Sequence, residues 1–88
     1  MDRETIKGII EAMLFVSGEP LQINIISKVL ELKVEDVYSI LLELQREYKR
    51  KERGIQLIEV NDSFQLCTKP EYHSYIEKLC ASSPTRGL

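Results

Sequence analysis

The spacing of the apolar residues changes once along this chain, at Gly54, and this change constrains the fold more than any other feature. Up to that glycine, apolar residues recur every three or four positions, as in helices that bury one face. This spacing predicts three helices, over 4–17, over 23–31 and from Val34 toward Gly54. Gly18 is suited to the left-handed conformation that ends the first helix. The buried side of the second helix is predicted to be Ile23, Ile26, Val29 and Leu30, and the core stripe of the third to be Val37, Ile40, Leu41, Leu44 and Tyr48. After Gly54 the apolar residues alternate, and the runs 55–60 and 64–68 are predicted to form a β-hairpin with its tip at Asn61-Asp62-Ser63.

A last helix is predicted after the hairpin. Pro70 is suited to the first turn of a helix, and Thr68 and Glu71 have the spacing of a capping box. The helix is expected to run from Glu71 to about Cys80. Its inward-facing side is predicted to consist of Tyr72, Tyr75, Ile76 and Leu79.

This order of elements predicts a fold that is mainly α with a small β-hairpin, in a winged helix-turn-helix arrangement. The second and third helices are separated by only two or three residues, and such a tight connection is typical of a helix-turn-helix unit. The architecture is then three helices, a two-stranded wing and a C-terminal helix. We expect one winged-helix domain over 1–80, followed at 81–88 by a flexible tail or the start of an interdomain linker.

The first and third helices carry more apolar surface than one small core requires. Ala12, Phe15 and Val16 make the end of the first helix apolar nearly all round, so that it must bury more than one face. Tyr38 and Leu42 form a second stripe on the third helix, covered either by the hairpin and last helix or by another subunit. The candidate dimer interface consists of Ile6, Ile9, Ile10, Met13, Tyr38 and Leu42.

The residues of the chain favour a protein that is not an enzyme. Its 88 residues include one histidine, and they contain no phosphate-binding loop, nucleophile elbow or dinucleotide-binding motif. Cys67 and Cys80 are expected to be reduced, half-buried thiols, with a disulfide or a shared metal as the less favoured alternative. We therefore predict no catalytic residues, no cofactor and no metal. The apolar run 12–16 is too short to cross a bilayer and no signal peptide is evident, so a cytoplasmic location without membrane contact is expected.

A DNA-binding domain of a transcriptional regulator is the alternative function that a winged helix raises. Recognition helices normally present cations and amides from their first turns, whereas this helix begins with Glu35 and Asp36. The net charge of −2 also argues against a protein that coats phosphate backbones. Under this alternative, the candidate weak phosphate contacts are Lys49, Arg50, Lys51 and Arg53. The favoured interpretation is a solvated helix end, and no direct sequence-specific DNA contact is expected.

Three stretches of the sequence carry a specific resemblance to one family. Residues 11–21 spell EAMLFVSGEPL, residues 53–57 spell RGIQL, and residues 64–72 spell FQLCTKPEY. Together they resemble segregation and condensation protein B over about residues 6–80. The match corresponds to the N-terminal one of the two winged-helix domains of that family.

The resemblance implies a function that composition alone does not. Proteins of this family are non-catalytic subunits of the bacterial SMC–kleisin condensin complex, which condenses and segregates chromosomes during cell division. The resemblance implies a homodimer, with the kleisin subunit ScpA and the SMC ATPase as partners of the full-length protein at the nucleoid. Because the chain stops before the second domain of the family, it is expected to be a fragment that acts as the homodimerisation module.

Overall fold

The helices and strands follow one another in the predicted order within residues 1–82, the part of the chain that the computed structural model describes. The helices are α1 (Arg3–Ser17), α2 (Ile23–Leu30), α3 (Val34–Glu47) and α4 (His73–Ser82). The strands are β1 (Leu21–Gln22), β2 (Ile55–Val60) and β3 (Ser63–Thr68), and a 3-10 turn over Pro70–Tyr72 precedes α4. The first two residues of the predicted tail belong to α4, and the rest of it lies outside the described residues.

The sheet has three antiparallel strands in the order β1-β3-β2, one more than the predicted two-stranded wing. Leu21 pairs with Phe64, and Gln22 pairs with Ser63. A two-residue strand is too short to show alternation, which explains why the sequence pattern missed it. The hairpin itself was predicted correctly: β2 and β3 pair along their full length, and Asn61 at the tip has a positive φ of 58°.

Backbone conformations that few residues tolerate set the connections between the helices. Gly18, with φ 64°, ends α1 in the left-handed conformation that the sequence predicted. Glu31, with φ 56°, takes the same conformation after α2, and the amide of Leu32 donates to the Ser27 carbonyl at 3.1 Å. This compact turn joins α2 to α3 and confirms the helix-turn-helix unit.

The third helix ends at Glu47, earlier than predicted. The basic residues that follow form tight turns, in which the Arg53 amide donates to the Arg50 carbonyl at 3.0 Å. The buried Lys69 ammonium also donates to that carbonyl, at 2.9 Å. The turns after α3 are therefore fastened to the end of the wing, and the helix does not continue to Gly54.

One apolar core lies between the three helices and the sheet. The sequence predicted the α3 contribution correctly, since its whole stripe is buried: Val37, Ile40, Leu41, Leu44 and Tyr48. The other buried apolar residues are Ile10, Leu14, Ile23, Ile26, Leu57 and Phe64. Val29 was predicted to face the core but is 61% exposed, because it lies roughly 100° around α2 from the stripe that Ile23 and Ile26 define.

The last helix departs most from its prediction. No residue of α4 is buried, and both Tyr75 and Leu79 are exposed rather than packed inward. The predicted capping box is also wrong, since the Tyr72 amide donates to the Lys69 carbonyl and opens the 3-10 turn instead. The Cα radius of gyration is 14.7 Å, against about 12 Å for a compact chain of this length, which agrees with a helix that projects from the body.

A cluster of ion pairs ties the first turns of α1 to the end of α3. The Arg3 guanidinium contacts the Glu43 carboxylate at 2.7 Å, and the Lys7 ammonium contacts the same carboxylate at 3.1 Å. Lys7 also pairs with Glu47 and, at 3.5 Å, with Glu4. The cluster fixes how α1 lies across α3, and so fixes the direction in which the outer face of α1 points.

The substitution Glu43→Gln is expected to reduce the acid sensitivity of the fold. The hydrogen bonds from Arg3 and Lys7 hold the pKa of the Glu43 carboxyl below its usual value of 4.5. Such a group stabilises the folded state above its unfolded pKa, and that stability is lost as pH falls through the folded pKa. Thermal melts between about pH 6 and pH 3 should therefore show a smaller loss for the variant than for the unmodified chain. Glu19→Gln is the control. If Glu43→Gln loses as much stability on acidification as the unmodified chain and this control, the assignment is contradicted.

Candidate interaction surface

The described residues contain little that is suited to binding a metal or performing chemistry. Within residues 1–82, no group of three or more His, Cys, Asp or Glu side chains is placed to hold a metal ion. Cys67 and Cys80 are both free thiols and half-buried, and His73 is exposed beside Glu77. Across the same residues, no helix has the length and apolar character needed to cross a membrane. The distinctive features of this surface are its apolar side chains.

Most of the candidate interface on α1 faces the core of its own chain. Ile10 is fully buried there, and so is unavailable to a partner in the folded chain. Ile6 and Met13 pack against the same core, and Ile9 is half-buried. A charge at Met13 would therefore disturb the core as well as any subunit contact, and a sharper test must use the other face of α1.

The Tyr38 part of the candidate interface contacts the wing. Its ring lies edge-on to Phe64 with centroids 5.9 Å apart, and its hydroxyl donates to the Glu59 carboxylate at 3.2 Å. The negative charge of Glu59 raises the pKa of the Tyr38 phenol. Leu42, one turn further along α3, is half-buried. Of the two alternatives for this stripe, cover by the hairpin accounts for the contacts of Tyr38, and the role of Leu42 at a subunit interface stays a prediction.

The surplus apolar surface of α1 lies on the side that faces away from the core. Phe15 is 79% exposed and Val16 is 82% exposed, with Ala12 one turn before them. The sequence indicated that these residues widen the apolar stripe, but the candidate interface did not include them. The signal was present in the spacing, because residues 12, 15 and 16 lie on one side of a helix whose opposite side carries Ile6 and Ile10.

Two shallow cavities flank the Phe15 ring and form one groove between α1 and the sheet. The first measures about 260 Å³ and the second about 280 Å³, and both are lined by Phe15, Ile55 and Leu66. The Phe15 groove is defined here by Gly8, Ala12 and Phe15 on α1 and by Ile55 and Leu66 on the sheet. Its walls are mostly apolar, which suits an apolar side chain from another protein surface.

One polar pair lies at the end of the Phe15 groove. The Tyr48 hydroxyl donates to the Glu11 carboxylate, and this bond joins the end of α3 to α1. Burial of the phenol and, to a smaller extent, its hydrogen bond to Glu11 raise the pKa of Tyr48. The phenol therefore stays protonated at neutral pH and holds the groove end in a fixed geometry.

Acidic side chains occupy the positions at which a winged helix usually meets DNA. Glu35 and Asp36 are exposed at the start of α3, and Asp62 is exposed at the wing tip. The four candidate phosphate contacts are also exposed, in the turns after α3: Lys49, Arg50, Lys51 and Arg53. Arg50 is paired there with the Glu52 carboxylate at 2.9 Å. The arrangement does not bring the cations to the recognition helix or to the wing tip.

The fold is that of a winged-helix domain, and the outer side of α1 carries its exposed apolar face. The chain belongs to the ScpB family: the model of the segregation and condensation complex subunit ScpB matches residues 8–88. ScpB proteins are non-catalytic subunits of a segregation and condensation complex, as the resemblance implied.

Curated relatives agree with this family. The chain is 42% identical to segregation and condensation protein B of Alkaliphilus oremlandii over 88 residues, which are 100% of the chain and 48% of that protein. It is 40% identical to the protein of the same name from Desulforamulus reducens over 83 residues, which are 94% of the chain and 46% of that protein. The chain thus spans about half the length of these relatives.

Solved structures agree as well. A dimer of an ScpB N-terminal domain complexed with a ScpA peptide is 40% identical, with a TM-score of 0.83 over 86% of this chain and 95% of that one. ScpB from Mycobacterium tuberculosis superposes with a TM-score of 0.89 over 100% of this chain and 55% of that one, at 24% identity. The second likeness supports the winged-helix fold alone.

Proposed function

We propose that this chain is the homodimerisation module of an ScpB subunit, and that it joins two copies of that subunit through an apolar face on α1. In the full-length protein the dimer would act in the SMC–kleisin condensin complex, with the kleisin ScpA and the SMC ATPase as partners. Its setting would be the cytoplasm at the nucleoid, where the complex condenses and segregates chromosomes during cell division.

The observation that carries the proposal is the exposure of Phe15 and Val16 in a single copy. Two large apolar side chains beside an apolar groove form a patch of the kind that marks protein interaction sites. A chain of 88 residues buries a modest fraction of its surface, so its stability also gains when two copies share an interface. Both arguments favour cover of this face by a second protein surface.

The solved relative adds independent support. Its N-terminal domain was crystallised as a dimer with a ScpA peptide, and it shares 40% identity over most of this chain. That assembly belongs to the relative, and for this chain both the dimer and the kleisin contact are proposals. The acidic start of α3 and wing tip favour this role over direct DNA binding, because carboxylates repel the phosphate backbone.

Light scattering after size-exclusion chromatography tests the proposal on the unmodified chain. At tens of micromolar we expect twice the chain mass of 10.2 kDa, with a shift toward the single mass on dilution. A mass of 10.2 kDa at every concentration would overturn the proposed function.

A further inference from the structure

The apolar face of α4 finds no place in the core of its own chain. Tyr75 is 68% exposed and Leu79 is 46% exposed, one turn apart on the same side of the helix. Tyr72 and Ile76 extend the same stripe and are half-buried. An amphipathic helix with no buried residue gains little from its own chain, so its apolar stripe requires another surface.

The Phe15 groove is an apolar concavity that α4 of the same copy does not line. Its α1 wall contains Gly8, where an added Cβ would meet no described atom within 4 Å apart from its chain neighbours and the backbone of its own helix. Glycine in a helix interior costs about 0.5–1 kcal/mol relative to alanine, and no contact within the described chain requires it here. A close approach from outside the copy accounts for a residue without a side chain at this position.

We propose that α4 of one copy lies in the Phe15 groove of a second copy, and that the partner returns the same contact. The proposal rests on the proposed function, because it assigns the surfaces that make the dimer. It pairs the two apolar surfaces that a single copy leaves uncovered, and it is reciprocal, as a two-fold interface requires.

The base of α4 favours exchange over folding back onto the same copy. The Lys69 amide donates to the Gly54 carbonyl at 3.0 Å, and the Tyr72 hydroxyl donates to the Lys51 carbonyl at 3.3 Å. These bonds fix the direction in which α4 leaves the body. With these bonds in place, no α4 residue lines the Phe15 groove of the same copy, whereas a second copy can approach the projecting helix without changing them.

The size of the exchanged surfaces suits a stable dimer. The ten residues of α4 span about 15 Å, enough to cover a groove bounded by three turns of α1. The exchange covers Phe15 and Tyr75 in both copies, and these four rings supply on the order of 500 Å². The flanking apolar side chains and the second stripe residue Leu79 add to this area, and a standard interface buries roughly 1,600 Å².

The exchange is tested in the 88-residue chain by placing a charge in the groove of one variant and on α4 of another, and then by mixing the two variants. Ala12→Glu places an acid in the groove, and Tyr75→Lys places a base on α4; both sites are exposed, so each variant should keep its fold by circular dichroism. Each variant alone is expected to raise the dimer dissociation constant about 30-fold or more. An equimolar mixture should form the heterodimer, detected by native mass spectrometry, because one of its contacts then joins the new acid to the new base.

The outcomes distinguish the exchange of α4 from the proposed dimerisation on which it rests. Dissociation of both single variants with recovery in the mixture supports the exchange. If Tyr75→Lys, and the second α4 variant Leu79→Lys, dimerise like the unmodified chain while Ala12→Glu does not, the exchange is overturned and the dimer stands. A mixture that stays monomeric also overturns it. If the unmodified chain is monomeric, the proposed function itself is overturned. Tyr75→Phe is the control: it keeps the apolar ring and should remain dimeric.

Discussion

The substitution Phe15→Glu is expected to convert the dimer of this chain into a folded monomer. The side chain is 79% exposed in one copy, so the change should alter the free energy of unfolding of the monomer by no more than about 0.5 kcal/mol. In the proposed interface the same carboxylate is buried without a partner, which costs about 2–5 kcal/mol of association free energy. Sedimentation velocity over a dilution series should therefore show a dissociation constant raised by about 30-fold or more.

Val29→Glu is the matched control for this experiment. Val29 is 61% exposed, and it lies on α2 outside the Phe15 groove, so the substitution introduces the same charge at a comparable apolar position. We expect this variant to dimerise like the unmodified chain. Dissociation of the control together with a persistent Phe15→Glu dimer would place the interface on α2 and contradict the assignment.

The substitution Phe64→Ala is expected to produce the largest loss of stability in the domain. Phe64 is 1% exposed, pairs with Leu21 across the sheet, and packs edge-on against Tyr38. Its truncation leaves a cavity beneath the wing and should lower the free energy of unfolding by about 3–5 kcal/mol. The whole domain is expected to have only about 4–13 kcal/mol, so much of the protein would be unfolded in the less stable part of that range.

Urea denaturation measures this loss, and it is best followed in the Phe15→Glu background. Dimerisation adds to the apparent stability at high concentration, and a monomeric background removes that contribution. Phe64→Leu is the control, because it keeps most of the buried volume and should cost clearly less than alanine. A loss below about 1 kcal/mol for Phe64→Ala would contradict the placement of this ring in the core.

The parts of the fold that the sequence predicted well are those with long, regular patterns. The stripe of α3 repeats over four turns, and every residue predicted to be buried there is buried. The hairpin was equally clear, because two alternating runs flank a tip in which Asn61 tolerates a positive φ. In both elements local preference and tertiary packing require the same residues.

The elements that were missed or wrong depend on contacts that periodicity does not show. The strand β1 forms by pairing with β3, where Leu21 meets Phe64 and Gln22 meets Ser63 across the sheet. The inward face of α4 followed from its apolar spacing, but the anchored turn before it directs the helix away from the body. An amphipathic pattern shows that a face must be covered, and it does not show which surface covers it.

The same limit applied to the candidate interface. The sequence showed correctly that α1 carries surplus apolar surface, since both Phe15 and Ile10 follow helical spacing. The sequence did not show whether the Phe15 side or the Ile10 side of α1 is buried in the core of the chain. The structure places Ile10 inside that core and leaves Phe15 79% exposed, while Ile6, Ile9 and Met13 are half-buried, so their part in a subunit interface stays a prediction.

Methyl NMR spectra of the unmodified chain, recorded from low to high concentration, test the central claim most directly. The methyl groups of Val16 lie on the proposed dimer face, and those of Val29 lie on α2. If the chain associates through the outer face of α1, the Val16 signals shift or broaden as the concentration crosses the dissociation constant, while the Val29 signals stay in place. Val16 signals that do not change over a range in which the mass doubles would contradict the account.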